Sequence, residues 1–243
     1  MNHLEAIQSG SAALVASARS AGLDAPIPSC PGWDVHELVF HTGTTHRWAT
    51  TLVATRATGY VAPELGELPD EREAIFDWFE EGARRFLDLL GTTDPETAVW
   101  AWGGDQHVRF WSRRMAHETA VHAWDASHAA GEDRAIPAEI AVDGIDEQLE
   151  NIPFMIPFRP EVAGLRGDGE TIHLHATDTE GEWLIRFTAD GIETRREHAK
   201  GDVAARGSAS GLFLFLVGRA PPSDLEVFGD EALLDRWQRD FSF

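Results

Sequence analysis

The stretch VRFWSRRMAHETAVHAWDASHAA, residues 108–130, decides how this chain reads. It forms one helix that stops at Gly131, because glycine readily adopts the left-handed backbone that closes helices. Glu118 and His122 stand four residues apart within it and therefore share a face. Trp111, Arg114, Met115, Val121 and Asp125 fall on the same side. A carboxylate and an imidazole on a largely apolar stripe are expensive to bury unless they are paired or bound to a metal.

Toward the N terminus the pattern stays helical. Leu4 to Ala21 carries apolar residues at helical spacing and ends near Gly22. After the break at Pro31-Gly32-Trp33, Asp34 with Glu37 forms a capping-box pattern that opens a helix to about Arg56. Asp70 with Glu73 repeats the signal and opens a helix through Leu90. Trp100, Trp102 and the Gly103-Gly104 pair mark an irregular or short extended stretch before His107, which is placed to line a cavity mouth. Four helices joined by a few long connections point to a bundle. His36, His41 and His46 lie on the second of them, and at about 100° per residue they cannot share one face. His41 falls with Leu38, Thr45, Trp48 and Leu52 on the inward stripe, whereas His36 and His46 project elsewhere. His41 added to Glu118 and His122 makes a two-histidine, one-carboxylate set. Such sets suit zinc with open positions for water or substrate, and similar ones hold iron(II). The plainer alternative is a buried Glu118–His122 ion pair with His41 as a packing residue. Asp125, one turn beyond His122, can orient a ligand from behind or pair with a surface arginine.

Toward the C terminus the period changes. Ile136 to Ile152 reads as a further helix, broken by Pro153 and Pro157. Thr171–Ala176 and Glu182–Thr188 alternate as strands around a turn, Ile192–His198 is a third strand, and Val203–Gly207 a fourth. Ser208–Val217 and Glu231–Phe241 read as helices, the latter capped by Asp230. A boundary falls between about 152 and 168, giving a helical domain over 1–155 and a smaller α/β domain over 165–243. His173 and His175 share a strand face, which is read as solvated, and His198 carries no signal. Cys30 is read as structural.

Composition narrows the function classes. The 243 residues include 20 Lys+Arg against 41 Asp+Glu, a formal net charge of −21. That balance repels phosphate, so a nucleic-acid partner is not expected. One cysteine allows neither an intramolecular disulfide nor a Cys-rich zinc cluster. Lys200 is the only lysine, which confines lysine Schiff-base chemistry to one polar position. The N terminus lacks a basic and apolar leader, and Leu212 to Val217 is too short to span a bilayer, so a cytoplasmic protein without a membrane partner is expected. Ser112, Ser208 and Ser210 lack a G-x-S-x-G setting, and no glycine cluster matches a phosphate-binding loop.

Two segments carry a family resemblance. Cys30-Pro31-Gly32-Trp33-Asp34 through His41 to His46-Arg47-Trp48, with Arg114-Met115-Ala116-His117-Glu118 through His122-Ala123-Trp124-Asp125, resembles the mycothiol-dependent maleylpyruvate isomerase family, within the DinB-like metal-binding superfamily. The likeness continues through His173 to Asp178, Glu182-Trp183, Gly207 to Arg219 and Phe228-Gly229-Asp230. It implies an α+β protein, with a DinB-like up-down four-helix bundle followed by a small α/β domain with an antiparallel sheet. It implies a divalent metal ion, zinc foremost, on His41, Glu118 and His122, with mycothiol as cofactor and a small-molecule substrate. It also gives Arg219, after the Gly that follows an apolar helix, a catalytic part. The implied reaction is cis–trans isomerisation of an unsaturated acid, by addition of a metal-activated thiolate, bond rotation and elimination. Transfer of the thiol to an electrophile, metal-dependent hydrolysis and non-catalytic binding of a small ligand are the alternatives.

Overall fold

The computed structural model describes residues 1–241. It divides into two compact units, Met1–Ile136 and Pro137–Phe243.

The first unit contains helices α1 (His3–Ala21), α2 (Val35–Thr55), α3 (Ile75–Thr92) and α4 (Val108–Ala129). The α2 capping box forms as expected: the Asp34 side chain accepts from Glu37 N–H, and Glu37 accepts from Asp34 N–H. The matching signal at Asp70 does not form a cap. A 3-10 turn over Arg72–Ala74 precedes α3, whose first turn has no side-chain cap. Arg72 instead pairs with Asp24 and Asp34, each at 3.1 Å, and the buried Ile75, Phe76, Trp78 and Phe79 place the helix start where their apolar face meets the core. The helices pack in the ring order α1–α4–α2–α3. Leu14, Val35, Leu38, Phe76, Phe79 and Ala126 occupy one continuous apolar core between them. Packing of α2 against α4 brings His41 toward Glu118 and His122.

The second unit begins with α5 (Ala138–Met155), so the division falls before this helix and not between 155 and 165. The reason is packing: the α5 partners are α6 (Ala209–Leu216) and the sheet, and Trp183 donates to Asp146 of α5 at 2.7 Å. The helix also runs through Pro153. A proline this close to the C-terminal end removes a single helical hydrogen bond, and the buried Leu149, Ile152 and Met155 hold the last turns in place.

Five strands, β1 (Thr171–Ala176), β2 (Glu182–Thr188), β3 (Gly191–Arg195), β4 (Val203–Gly207) and β5 (Glu226–Gly229), form one sheet in the order β3-β2-β1-β4-β5. Three of the pairings are antiparallel, but β1 and β4 run parallel, with Ile172 opposite Val203, so the sheet is mixed. The short β5 carries no alternation long enough to read as a strand, and the pairing of Val227 with Ala205 makes it one. Ile172, Leu174, Trp183 and Ile185 share the face covered by α5, and α7 (Ala232–Phe241) buries Leu234 and Trp237.

Candidate metal centre

Helix α4 presents its histidine and carboxylate as the four-residue spacing requires: His122 Nε2 lies 3.2 Å from Glu118 Oε1. His41 of α2 reaches the same oxygen, with its Nε2 also 3.2 Å away. One donor atom from each of the three residues lies within 4.8 Å of the others. His122 is buried and His41 is about one-third exposed, so the set opens on the His41 side. That fits the edge of the α2 stripe: Leu38 and Leu52 are fully buried, whereas Thr45 and Trp48 are only partly covered.

The surroundings orient these groups. Asp125 is fully buried, and its Oδ2 stands 2.9 Å from His122 Nδ1. A carboxylate there holds a proton on Nδ1 and orients the ring so that Nε2 faces Glu118, the nitrogen left to serve as a metal ligand. Asp125 is itself fixed by Ser29, whose hydroxyl donates at 2.5 Å, and by the Cys30 thiol at 3.7 Å. Trp33, in the turn ahead of α2, packs its ring on His41 at 4.8 Å and on His122 at 6.3 Å between centroids. Arg114 Nη2 donates to the other Glu118 oxygen at 3.3 Å.

Electrostatics follow from this packing. Burial alone would raise the Glu118 carboxyl, but His122, His41 and Arg114 outweigh it and hold the group well below the usual carboxylate range. Burial opposes charge on His122, yet Asp125 and Glu118 outweigh it and push the imidazole up. Uptake of a cation by a site paired in this way would displace a proton. The donor set fits a divalent metal of the zinc class: two imidazole nitrogens and a carboxylate oxygen converge, one histidine is braced from behind, and one side is accessible.

Other positions depart from the sequence reading. His46 points inward: it is fully buried, its Nε2 2.8 Å from Thr119 Oγ1. His107 is tied to Asp105 at 2.6 Å. His173 does not lie on a solvated face, being only 6% exposed. It meets His175, Glu182 and His198 in a second cluster. Ser29 lies in a loop, where no periodicity reports direction, and His198, expected to end a strand, lies in the loop after β3, which stops at Arg195. Arg219 follows Gly218, whose φ of 72° turns the chain after α6, and the Arg219 N–H donates to the Leu214 carbonyl at 2.7 Å.

A helical bundle with a two-histidine, one-carboxylate set, followed by a small mixed-sheet unit, defines the class of protein. The family description "Mycothiol maleylpyruvate isomerase N-terminal domain" matches residues 4–127, and the C-terminal domain of the same family matches residues 139–236. The chain belongs to the mycothiol-dependent maleylpyruvate isomerase family. Its fold is similar to the crystal structure of a mycothiol-dependent maleylpyruvate isomerase and of a histidine-to-alanine mutant of it. Each has a TM-score of 0.64 and 16% identity, covering 93% of this chain and 91% of that one. None of the curated proteins matches the chain. No helix among the described residues is long and apolar enough to cross a membrane.

Proposed function

We propose that this chain is a metal-dependent enzyme that uses a low-molecular-weight thiol, mycothiol by family membership, to isomerise the double bond of a small unsaturated acid. The observation that supports this reading best is the meeting of His41, Glu118 and His122 within 4.8 Å across two helices of the family's N-terminal domain. Zinc is the favoured ion for this donor set. A divalent cation on these residues supplies Lewis acidity that lowers the pKa of a coordinated thiol, and the thiol supplies a nucleophile for reversible addition to a conjugated double bond.

The chain's own residues have separable tasks. Glu118 presents one oxygen between two imidazoles, and His122 and His41, with a smaller part from Arg114, hold the carboxyl ionised against its burial. Asp125 fixes the His122 ring and its tautomer. The Trp33 ring covers the two imidazoles on one side and keeps water from that face. Arg219 has the planar, permanently charged fork suited to a substrate carboxylate, and the family resemblance makes it the residue proposed for that task.

The test is an assay of metal-loaded protein with mycothiol and a panel that includes maleylpyruvate, other cis-unsaturated acids and simple electrophiles. Products are separated by mass. An isomer of unchanged mass, formed only with thiol and metal present, is the expected result. A stable thiol adduct would move the assignment to S-transfer, and turnover without thiol would move it to hydrolysis. No thiol- or metal-dependent conversion of any panel member would overturn the enzymatic reading.

A further inference from the structure

We propose a second, structural metal site in the C-terminal unit, in which His173, His175, Glu182 and His198 bind one divalent cation of the zinc class. It is independent of the site in the helical bundle. His173 and His175 are two apart on β1, so both imidazoles leave the same face of the sheet, opposite the face covered by α5. Glu182 opens β2 directly across from His175. The chain leaves β3 at Arg195, and the next segment brings His198 back over the same spot. Gly201 makes this return possible: a Cβ there would sit 2.9 Å from His173 N and 2.6 Å from the Val203 carbonyl oxygen, so only glycine lets the segment lie this close to β1.

Three imidazoles then aim at one carboxylate oxygen. Glu182 Oε2 is 3.0 Å from His173 Nε2, 3.3 Å from His175 Nδ1 and 2.5 Å from His198 Nδ1. A single carboxylate oxygen offers about two lone-pair directions, fewer than the ring nitrogens directed at it. The four donor atoms all lie within 4.8 Å of one another. In a tetrahedral zinc site, ligands about 2 Å from the ion stand roughly 3.3 Å apart. A cation would therefore close the widest donor separations by about 1.5 Å at most and open the shortest, Glu182 to His198, by about 0.8 Å, a movement that side-chain rotation supplies at the exposed His198. Three nitrogens and one oxygen select a borderline transition cation over calcium or magnesium, which prefer all-oxygen shells. Four protein ligands leave no open position, and that is the pattern of a structural site. The bound ion would fasten the segment after β3 to the β1–β2 hairpin.

The probe is cobalt(II), added to the full-length chain after chelator treatment, with binding followed by calorimetry and visible absorption. The His41→Ala/His122→Ala variant is expected to keep one equivalent with intense tetrahedral bands. Adding His175→Ala/His198→Ala should weaken that equivalent by more than about 100-fold, since even outer partners of metal ligands are worth 10–100-fold. Hydrogen exchange of residues 196–202 should slow on metal addition in the parent chain and not in the single His198→Ala variant. His198 is largely exposed, so its loss leaves folding intact. A His41→Ala/His122→Ala chain that binds no cobalt(II), or cobalt binding unchanged after both C-terminal substitutions, would overturn the proposal. Each site is read from its own pair of variants, so failure of one leaves the other result standing.

Discussion

His46 should make the protein acid-sensitive in a defined window. The Thr119 hydroxyl donates to the Met115 carbonyl at 2.6 Å, so it accepts from His46 Nε2–H at 2.8 Å. The neutral ring therefore carries its proton on Nε2, and its Nδ1 has no hydrogen-bond partner among the described residues. Phe79 and Phe86 flank the ring at 5.6 and 5.7 Å. Protonation would place both a charge and an unanswered N–H in an apolar slot. Burial accordingly pushes the His46 pKa down from 6.5 to about 4, with Glu118 opposing and Arg47 and His122 assisting. The unfolded chain takes up this proton near pH 6.5, and the folded chain only near pH 4. The stabilisation is thus complete above the unfolded pKa and is lost as pH falls toward the folded one. At 1.36 kcal/mol per pH unit the displacement corresponds to about 3 kcal/mol. Urea denaturation of the parent and of His46→Leu across pH 4 to 8 isolates the effect, because the leucine cannot titrate. The parent should lose about 3 kcal/mol more than the variant between roughly pH 7.5 and 4. Parallel stability curves, or an NMR titration of His46 near its ordinary value, would refute the reasoning.

Three further outcomes follow from the packing and the site. Gly43→Ala would put a Cβ 2.3 Å from Trp78 Cζ3, and that ring is pinned by Arg47 over its face at 3.6 Å and by its Nε1 bond to Leu65 at 3.1 Å. Thermal denaturation should show a loss of about 1–3 kcal/mol, and an unchanged midpoint would show that α2 and α3 pack more loosely there. Asp125→Asn keeps the shape of the brace but weakens its hold on His122 Nδ1. Metal affinity should fall about 10–100-fold in a competition titration while the circular dichroism stays native, and equal affinity would remove Asp125 from the site. Arg219→Lys should lower turnover without altering metal content, because an ammonium cannot replace a bidentate fork; full activity in the lysine variant would exclude Arg219 from substrate contact.

Much of the bundle is legible in local chemistry. The Asp34–Glu37 box and the Glu118–His122 spacing act within a single helix, where sequence distance sets spatial distance. The Asp70–Glu73 box looked equivalent, yet Arg72 found partners at Asp24 and Asp34, more than thirty residues away, that no local pattern reveals. His46 faces inward, against the single-stripe expectation, because the inward face of α2 is wider: it includes Thr42, His46, Ala49 and Val53 as well as Leu38 and Leu52. Pro153 looked like a helix end, but buried neighbours hold a last turn that propensity alone would release. The β1–β4 pairing and the return of His198 over β1 depend on contacts between distant segments, so neither leaves a periodic trace.

Zinc stoichiometry in the helical bundle bears most directly on the proposed chemistry. In a His175→Ala/His198→Ala background, elemental analysis and a chelator-competition titration count only ions held elsewhere in the chain. One tightly bound zinc per chain is predicted, lost on Glu118→Ala or His122→Ala in protein that remains helical. Zinc retained at full stoichiometry and affinity by both variants would contradict the assignment of His41, Glu118 and His122 as its ligands.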